Sequence, residues 1–208
     1  MASGKFFALE GIDGAGKSTL IKALEKKMND AGKPCHVTAE PTKNHIGKTI
    51  RAILSGEMEG DEKTIAALFL ADRIDHLTHK EYGMLQYLNN GVNVISDRYY
   101  LSSYAYHVPH VSLDWVIEAN SICAALKRPD ITFFIDITVE ESLRRLSSGR
   151  QQLDRFENES RISTVRKNYL LATDKVKDQE NIVIIDGNQS IEQLAEAVWQ
   201  HMLPLINC

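Results

Sequence analysis

The chain has 208 residues, of which 43% are hydrophobic and 25% charged, so it can bury the core of one compact domain and nothing in its length demands two. Its formal net charge of −4 excludes a general attraction to nucleic acid or to an anionic membrane. Its three cysteines are widely spaced, which argues against a disulfide framework or a zinc site and suits the reducing cytoplasm. We predict neither a signal peptide nor a membrane span, because no run of about 18 apolar residues occurs.

The first predicted strand runs into a glycine-rich turn. An apolar run from Phe6 to Leu9 precedes Gly11-Ile12-Asp13-Gly14-Ala15-Gly16-Lys17-Ser18-Thr19, and a helix-forming stretch from Thr19 to Ala31 follows. This is the G-x-x-x-x-G-K-[ST] pattern of a phosphate-binding P-loop. In such a loop backbone N–H groups and the helix N-terminus face a phosphate, Lys17 reaches the β and γ phosphates, and Ser18 holds Mg²⁺. The pattern predicts a nucleoside triphosphate site, with an ordinary glycine-rich turn as the plainer alternative.

The next stretch of the chain alternates between strand and helix patterns. A strand is predicted over His36–Ala39 and a helix over Ile46–Leu54, ended by Ser55-Gly56. Residues Asp61–Leu88 then have the spacing of one long helix or a broken one, which Asn89-Asn90-Gly91 closes.

A buried strand over Val92–Ser96 is predicted to deliver Asp97 and Arg98 to the carboxyl edge of the sheet. Doubly wound folds bind their ligands at that edge. The following helix is predicted over Asp114–Leu126, with Asp114 as its N-terminal cap. We therefore expect Asp97 and Arg98 close to the P-loop.

The last third of the chain completes the alternation. After a strand over Ile131–Ile135, the sequence predicts four further elements and one flexible polar stretch: a helix from Val139 or Glu140 to Leu146, the polar stretch Ser147–Gln152, a charged helix from about Asn158 to Lys177, a strand over Ile182–Ile185 and a helix over Ile191–Met202. Strands that alternate with helices predict an α/β fold with a parallel sheet and helices on both faces.

A P-loop with Mg²⁺ holds phosphates, so the rest of the site decides the reaction. A switch GTPase usually carries an N-K-x-D motif, which this sequence does not contain. A motor ATPase usually ends a strand in paired acids, whereas Asp97 is followed by Arg98 and Asp136 by Ile137. The remaining class is a kinase for a small acceptor, which must screen the charge of a second substrate.

Several arginines could screen that charge. Arg98 directly follows a sheet-edge aspartate, and Arg51 and Arg73 come from helices that begin or pass near the same edge. Four more arginines flank the polar stretch, as a closing lid requires: Arg144, Arg145, Arg150 and Arg155. Surface salt bridges are the plainer alternative for any one of them alone.

A series of motifs, in this order, resembles the thymidylate kinase family: Glu10-Gly11 through Thr19, Glu40-Pro41, Leu68-Phe69-Leu70-Ala71-Asp72-Arg73, Asp97-Arg98-Tyr99 with Ser102-Ser103 and Tyr106, and Leu153-Asp154-Arg155-Phe156-Glu157. The resemblance implies the P-loop nucleoside monophosphate kinase fold, with a five-stranded parallel sheet and a lid at about 147–157 in one domain, 1–208. The implied reaction is phosphorylation of dTMP to dTDP by ATP and Mg²⁺, a step in dTTP synthesis.

The same resemblance implies which residues bind the nucleoside of dTMP. Phe69 would stack on thymine, Arg73 would donate to a thymine carbonyl, Ser103 would contact the N3 edge, and Tyr106 would pack against the ribose 2′ carbon. From its helical spacing alone Phe69 is more ordinary as a core aromatic. Arg73, one turn later on the same helix face, favours the binding role.

The resemblance also implies the phosphate and metal contacts. Arg51 and Arg98 would clamp the acceptor phosphate, while Asp13 would meet the 3′-hydroxyl or a magnesium-bound water. Ser18 and Asp97 would serve the metal. The remaining implied contacts to dTMP are Glu40, Pro41 and Ser102.

The P-loop indicates a subclass of the family. Some members carry arginine directly after the P-loop aspartate, where this chain has Gly14. Members of the bacterial-type subclass bring an arginine from the lid instead, and Arg150 resembles it. The catalytic residues implied are Asp13, Lys17, Arg98 and Arg150, and Arg155 is implied as a further contact to ATP.

No general base is expected, because a nucleotide phosphate is ionised at neutral pH, and all seven histidines are predicted to be surface or packing residues. The alternatives are a broader deoxynucleotide kinase or a deoxynucleoside kinase and, from another class, a regulatory P-loop NTPase. Expected partners are ATP and dTMP, with no nucleic acid and no membrane. Family members are homodimers, and apolar residues of Ile46–Leu54 and Ile65–Leu77 could supply the interface.

Overall fold

The computed structural model describes residues 3–108, 110–147 and 155–207, with the side chains of 155–158 left out. Over these residues strands and helices alternate in the order β1 Phe6–Glu10, α1 Lys17–Asp30, β2 Cys35–Ala39, α2 His45–Leu54, α3 Glu62–Thr78, α4 Met84–Asn89, β3 Asn93–Asp97, α5 Tyr100–Tyr106, α6 Leu113–Leu126, β4 Ile131–Asp136, α7 Val139–Ser147, α8 Arg155–Val176, β5 Ile182–Asp186 and α9 Ile191–Ile206.

The five strands form one sheet in the order β2-β3-β1-β4-β5, and every pair in it is parallel. The central strand β1 pairs on both sides, so that Phe7 lies opposite Ile95 of β3 and opposite Ile131 of β4. All five residues of β1 are buried. The predicted α/β fold with a five-stranded parallel sheet is confirmed.

Helices cover both faces of this sheet. On one face Phe134 of β4 stacks on Tyr169 of α8, with ring centroids 4.9 Å apart. The preceding residue, Phe133, points to the opposite face, where its ring lies 6.2 Å from that of His201 in α9. Successive strand residues alternate between faces, so these two contacts place α8 and α9 on opposite sides.

One helix, α5, was not predicted. Six of its seven residues are buried, including two serines and two tyrosines. A helix that is buried on nearly all sides has no apolar stripe for a periodic pattern to reveal.

Of the two alternatives for Asp61–Leu88, the broken helix is confirmed, because His79 at the end of α3 has an extended ψ of 134°. Other predicted helix boundaries differ from the structure, and α9 continues to Ile206, four residues beyond the predicted Met202. Helix α8 begins at Arg155, three residues before the predicted Asn158. The predicted cap of α6 was wrong: the Ser112 side chain accepts the backbone N–H of Trp115, which leaves Asp114 in the first turn.

The carboxyl ends of β1, β3 and β4 lie side by side at one edge of the sheet. Leu9 of β1 is opposite Asp97 of β3, and Glu10 is opposite Phe134 of β4. The glycine-rich loop and Asp97-Arg98 therefore leave the sheet next to each other. Within the described ranges no helix combines the length and the apolarity that crossing a membrane requires.

Candidate functional site

The glycine-rich loop occupies residues 11–16, between β1 and α1, and packs closely against its neighbours. Gly11 has a φ of 149°, and a Cβ there would lie 2.6 Å from the carbonyl oxygen of Ile135. Gly14 has a φ of 79°, and a Cβ there would lie 2.9 Å from the carbonyl oxygen of Ser142. Glycine is required at both positions, so that the loop turns tightly and presents backbone N–H groups at the start of α1.

Lys17 lies beneath this loop and is only 7% exposed. Its Nζ donates to the carbonyl oxygens of Gly11 at 3.0 Å and Ile12 at 3.3 Å. Burial, followed by the nearby charge of Arg98, lowers the pKa of Lys17 to about 8. The ammonium group thus remains mostly protonated at neutral pH and is held against the glycine-rich loop.

Ser18 and Asp97 form a pair of oxygen ligands beside the loop. The Ser18 hydroxyl donates to Asp97 Oδ2 at 3.1 Å. In the part of the chain that the structure describes, Asp97 Oδ1 is enclosed and has no hydrogen-bond partner. An enclosed carboxylate oxygen without a partner is costly, and a hydroxyl next to a carboxylate is the kind of donor set that Mg²⁺ uses together with nucleotide phosphates. The residues present fit Mg²⁺.

The described residues contain no group of three His, Cys, Asp or Glu side chains that could hold a metal ion.

Arg98 lies at the centre of the site, directly after β3, with a φ of 74° that is uncommon for a residue other than glycine. Its side chain is 18% exposed. The guanidinium donates to five oxygens, which are Asp13 Oδ1 at 2.6 Å, the Ser102 hydroxyl at 3.1 Å, the Tyr169 hydroxyl at 3.1 Å, the Tyr106 hydroxyl at 3.2 Å and the Gly11 carbonyl at 3.3 Å. These contacts hold a cationic group next to the glycine-rich loop.

Arg73 of α3 is 1% exposed and sits in a buried polar cluster. Its Nε donates to Glu40 Oε2 at 2.8 Å, and its Nη2 lies 2.7 Å from the same oxygen as part of the ion pair. Its Nη1 donates to Asn120 Oδ1 at 2.5 Å and to the Ser103 hydroxyl at 3.1 Å. Three hydrogen bonds and the ion pair with Glu40 thus hold the guanidinium in place.

Phe69 lies one helical turn before Arg73 and is half-buried. Its ring contacts that of His107 at 5.2 Å. It does not belong to the described hydrophobic core or to the partly buried side chains packed against it. Phe69 is therefore a half-buried aromatic side chain one helical turn from Arg73 on the same helix, α3.

The segment after β2 connects this cluster to Arg51. Glu40 and Pro41 are joined by a cis peptide bond. Arg51 of α2 donates to the carbonyl oxygens of Pro41 at 2.7 Å and Thr42 at 2.5 Å. Arg51 is itself exposed, so it holds the loop while its side chain still faces solvent.

The polar stretch predicted as a lid lies mostly outside the described residues, and Arg150 is among the residues not described. Arg155 is described only as the first residue of α8. Of the other two arginines, Arg144 is 72% exposed and pairs with Glu141. Arg145 donates to the carbonyl oxygens of Gly14 and Ala15, each at 3.4 Å, and so contacts the glycine-rich loop.

Four residues in this cluster were not singled out from the sequence: Glu10, Asn120, Tyr169 and His76. Asn120 could have been noticed as a polar residue between Val116 and Cys123 on the buried side of α6. Tyr169 gave no signal beyond being an aromatic residue in a charged helix. His76, predicted as a surface or packing residue, is 3% exposed and bonds Glu40 Oε1 at 3.0 Å and Thr38 at 2.7 Å.

Comparison with known proteins gives consistent matches over nearly the whole chain. A family model described as Thymidylate kinase matches residues 9–198. A probable thymidylate kinase of Thermococcus gammatolerans is 37% identical over 201 residues, covering 92% of both chains. A thymidylate kinase of Leptospira interrogans is 35% identical over 193 residues, covering 92% of this chain and 90% of the relative. A probable thymidylate kinase of Methanococcus aeolicus is 30% identical over 203 residues, covering 96% of both chains.

Proposed function

The chain belongs to the thymidylate kinase family, and from this premise we propose that it transfers the γ-phosphate of ATP to dTMP, forming ADP and dTDP for dTTP synthesis. The observation that carries the proposal is the position of Arg98, which lies against the glycine-rich loop through Gly11 and against the acceptor side through Ser102 and Tyr106. A group there can meet the phosphates of both substrates.

The acceptor base binds between Phe69 and Arg73 in this proposal. Thymine stacks on the half-buried ring of Phe69, and the Arg73 guanidinium donates to a thymine carbonyl. Ser103 lies on the same side, because its hydroxyl accepts from Arg73 Nη1 at 3.1 Å. Tyr106 stands against the sugar, with the guanidinium of Arg98 4.9 Å from its ring. Glu40, with Pro41 after it, orients Arg73 and contributes through it.

The two phosphate groups meet around Arg98. Arg98 and Arg51 bind the acceptor phosphate, and Ser102 supports Arg98. Asp13 is 56% exposed at the end of the Arg98 side chain, where it can meet the 3′-hydroxyl or a water on the metal. Residues 11–19 hold the phosphates of ATP, with Lys17 on the β and γ groups.

The reaction needs positioning and charge screening more than proton transfer. An acceptor phosphate oxygen attacks the γ-phosphorus in line, and it is already ionised at neutral pH, so no general base is needed. Lys17 and Arg98 neutralise charge that develops on the transferred group. Ser18 and Asp97 would hold Mg²⁺, which supplies charge neutralisation between the phosphates when bound.

The proposal includes a lid over the ATP site. Residues 147–157 close over ATP, with Arg150 as the arginine of the transition state and Arg155 as a further contact to the donor phosphates. Support comes from Gly14, which stands where an arginine of the P-loop would otherwise serve and packs against the Ser142 backbone. The chain is thus a member of the bacterial-type subclass in this proposal.

A homodimer is a further part of the proposal, and only some of the apolar residues of Ile46–Leu54 and Ile65–Leu77 are available to form its interface. Ile50, Ile65 and Leu77 are buried within the chain and cannot serve it. Leu54 of the expected range is 55% exposed, and α6 adds three exposed apolar residues, Trp115, Ile122 and Leu126, which are 45%, 51% and 40% exposed and are seven and four residues apart. That spacing places them on one helix face. Ile122→Glu should convert a dimer into a monomer in analytical ultracentrifugation.

We further propose that residues 1–208 act as one kinase domain and that the protein works in the cytoplasm, where ATP is available. Cys35 and Cys123 are free thiols, which suits that compartment.

Product analysis tests the reaction. The protein is incubated with ATP, Mg²⁺ and dTMP, and nucleotides are separated by anion-exchange chromatography. ADP and dTDP should appear in equal amounts, and omission of dTMP should stop ADP formation. ADP without dTDP would contradict the proposal and favour a regulatory P-loop NTPase.

A further inference from the structure

Glu10, the last residue of β1, is a fully buried carboxylate that no step of the proposed reaction uses. Four donors point at it. Oε1 accepts the backbone N–H groups of Tyr99 at 2.8 Å and Ser102 at 3.2 Å. Oε2 accepts the hydroxyls of Ser102 and, at 3.0 Å, Tyr169. A buried carboxylate that is so fully bonded fixes the position of the groups around it.

The two hydroxyls that bond Glu10 also bond Arg98. Arg98 Nη1 donates to the Ser102 hydroxyl and to the Tyr169 hydroxyl, each at 3.1 Å. Each hydroxyl therefore accepts from the guanidinium and donates to the carboxylate. The Arg98 side chain is tied to Glu10 through two parallel bridges, from α5 and from α8.

Glu10 also constrains the backbone at Arg98. The φ of 74° lies in a sparsely populated region for arginine, and such a conformation persists only when its surroundings determine it. The Arg98 N–H donates to the Leu9 carbonyl at 2.9 Å. The next N–H, that of Tyr99, donates to Glu10. The two peptide groups on either side of the Arg98 Cα are thus held by consecutive residues of β1.

We propose that Glu10 is a positioning residue for the acceptor: through Ser102, Tyr169 and the Tyr99 backbone it holds the Arg98 guanidinium in the orientation that receives the acceptor phosphate. The inference rests on the proposed function, which places Arg98 at that phosphate. Affinity for the acceptor phosphate therefore depends on the Glu10 carboxylate, although that carboxylate contacts neither substrate. Affinity for the base and for ATP does not depend on it.

Tyr169→Phe removes one bridge and leaves the core in place, since the ring of Tyr169 still stacks on Phe134. Tyr100→Phe is the matched control, because it also deletes a buried tyrosine hydroxyl, one that donates to Glu180 at 2.7 Å and does not contact Arg98. Binding of dTMP and of thymidine, which lacks the phosphate, is measured by calorimetry for both variants. The pair of ligands separates the phosphate contact from the base contact.

Tyr169→Phe should weaken dTMP binding about tenfold or more, as expected for one hydrogen bond to a charged group. Thymidine binding should stay unchanged, and Tyr100→Phe should alter neither ligand. Glu10→Gln keeps an acceptor for the two backbone N–H groups and should weaken dTMP binding more than Tyr169→Phe does. An equal loss for dTMP and thymidine, or the same loss in Tyr100→Phe, would overturn the inference.

A double-mutant cycle with Arg98→Lys tests whether the effect passes through Arg98. Tyr169→Phe should cost little in the Arg98→Lys background, whereas additive losses would overturn the inference. The measurements distinguish a failure of the role proposed for Arg98 from a failure of the role proposed for Glu10. If the wild-type protein does not bind dTMP more tightly than thymidine, the proposed role of Arg98 fails; if it does, and Tyr169→Phe has no effect, only the role of Glu10 fails.

Discussion

Arg73 and Glu40 form a buried ion pair in which Nε of the arginine donates to Glu40 Oε2 at 2.8 Å and Nη2 lies 2.7 Å from the same oxygen. Both side chains are 1% exposed. Removing one partner of such a pair leaves an uncompensated buried charge. We expect Glu40→Gln to lower the free energy of unfolding by about 3 kcal/mol, measured by urea denaturation.

The exposed pair Lys26–Asp30 provides the control for this prediction, since its side chains are 75% and 64% exposed. Asp30→Asn should change stability by less than about 0.5 kcal/mol. A similar small effect in Glu40→Gln would show that the buried pair contributes little net stabilisation.

Phe69→Ala distinguishes a base-binding aromatic from a core residue. Stacking of a base on an aromatic side chain is worth about 1–3 kcal/mol, so dTMP binding should weaken at least fivefold. The free energy of unfolding should fall by much less than the roughly 3–5 kcal/mol typical of a buried Phe→Ala change. Calorimetric dTMP titration and urea unfolding give both quantities. A large loss of stability with unchanged dTMP affinity would show that Phe69 is a core residue and does not bind the base.

Arg150→Ala tests the lid. Turnover should drop by orders of magnitude while dTMP affinity stays nearly unchanged, because the contact is made chiefly in the transition state. Arg144→Ala is the matched control, since Arg144 is exposed and pairs with Glu141. A parallel loss of dTMP binding in Arg150→Ala would rule out the role assigned to this arginine.

His107 predicts a pH dependence of stability. It is 5% exposed, and burial, with the charges of Arg73 and His110, lowers its pKa to about 4. In the unfolded chain the pKa of His107 is that of an ordinary histidine, about 6.5. Below that pH unfolding is therefore coupled to the uptake of a proton by His107, which stays neutral in the folded protein. The contribution of neutral His107 to the free energy of unfolding is therefore fully present above about pH 6.5 and is lost as the pH falls toward 4.

The size of this effect follows from the shift. Between pH 7 and pH 5 the wild-type protein should lose about 2 kcal/mol more stability than His107→Gln, in urea unfolding at both pH values. Comparison of the two proteins cancels the titration of other groups. Identical losses would mean that His107 titrates normally in the folded state.

The fold could be predicted from the sequence because its five strands are short apolar runs between longer helical patterns. Helix α5 could not, because Ser102, Ser103 and Tyr104 are buried together and give no periodic contrast. The cap of α6 was misassigned because Ser112 and Asp114 are both good cap residues and only the structure shows which one accepts the bond.

The candidate site, like the fold, could be predicted only in part. The glycine-rich loop is a local pattern and was found directly. The partners of Arg73 were not, because Glu40 is 33 positions and Asn120 47 positions away along the chain, and only the packing of α3 against β2 and α6 brings them together. The bridge from Arg98 through Tyr169 spans 71 positions and is equally invisible to periodicity.

The most direct test of the account is the acceptor dependence of ADP release, followed by a coupled assay with ATP and Mg²⁺. The acceptors dTMP, dUMP, dCMP, AMP, GMP and thymidine are compared in parallel at equal concentration. We predict turnover that requires dTMP, with dUMP weaker and the purine nucleotides inert. ADP release at one slow rate with every acceptor would contradict both the reaction and the pocket formed by Phe69, Arg73 and Ser103.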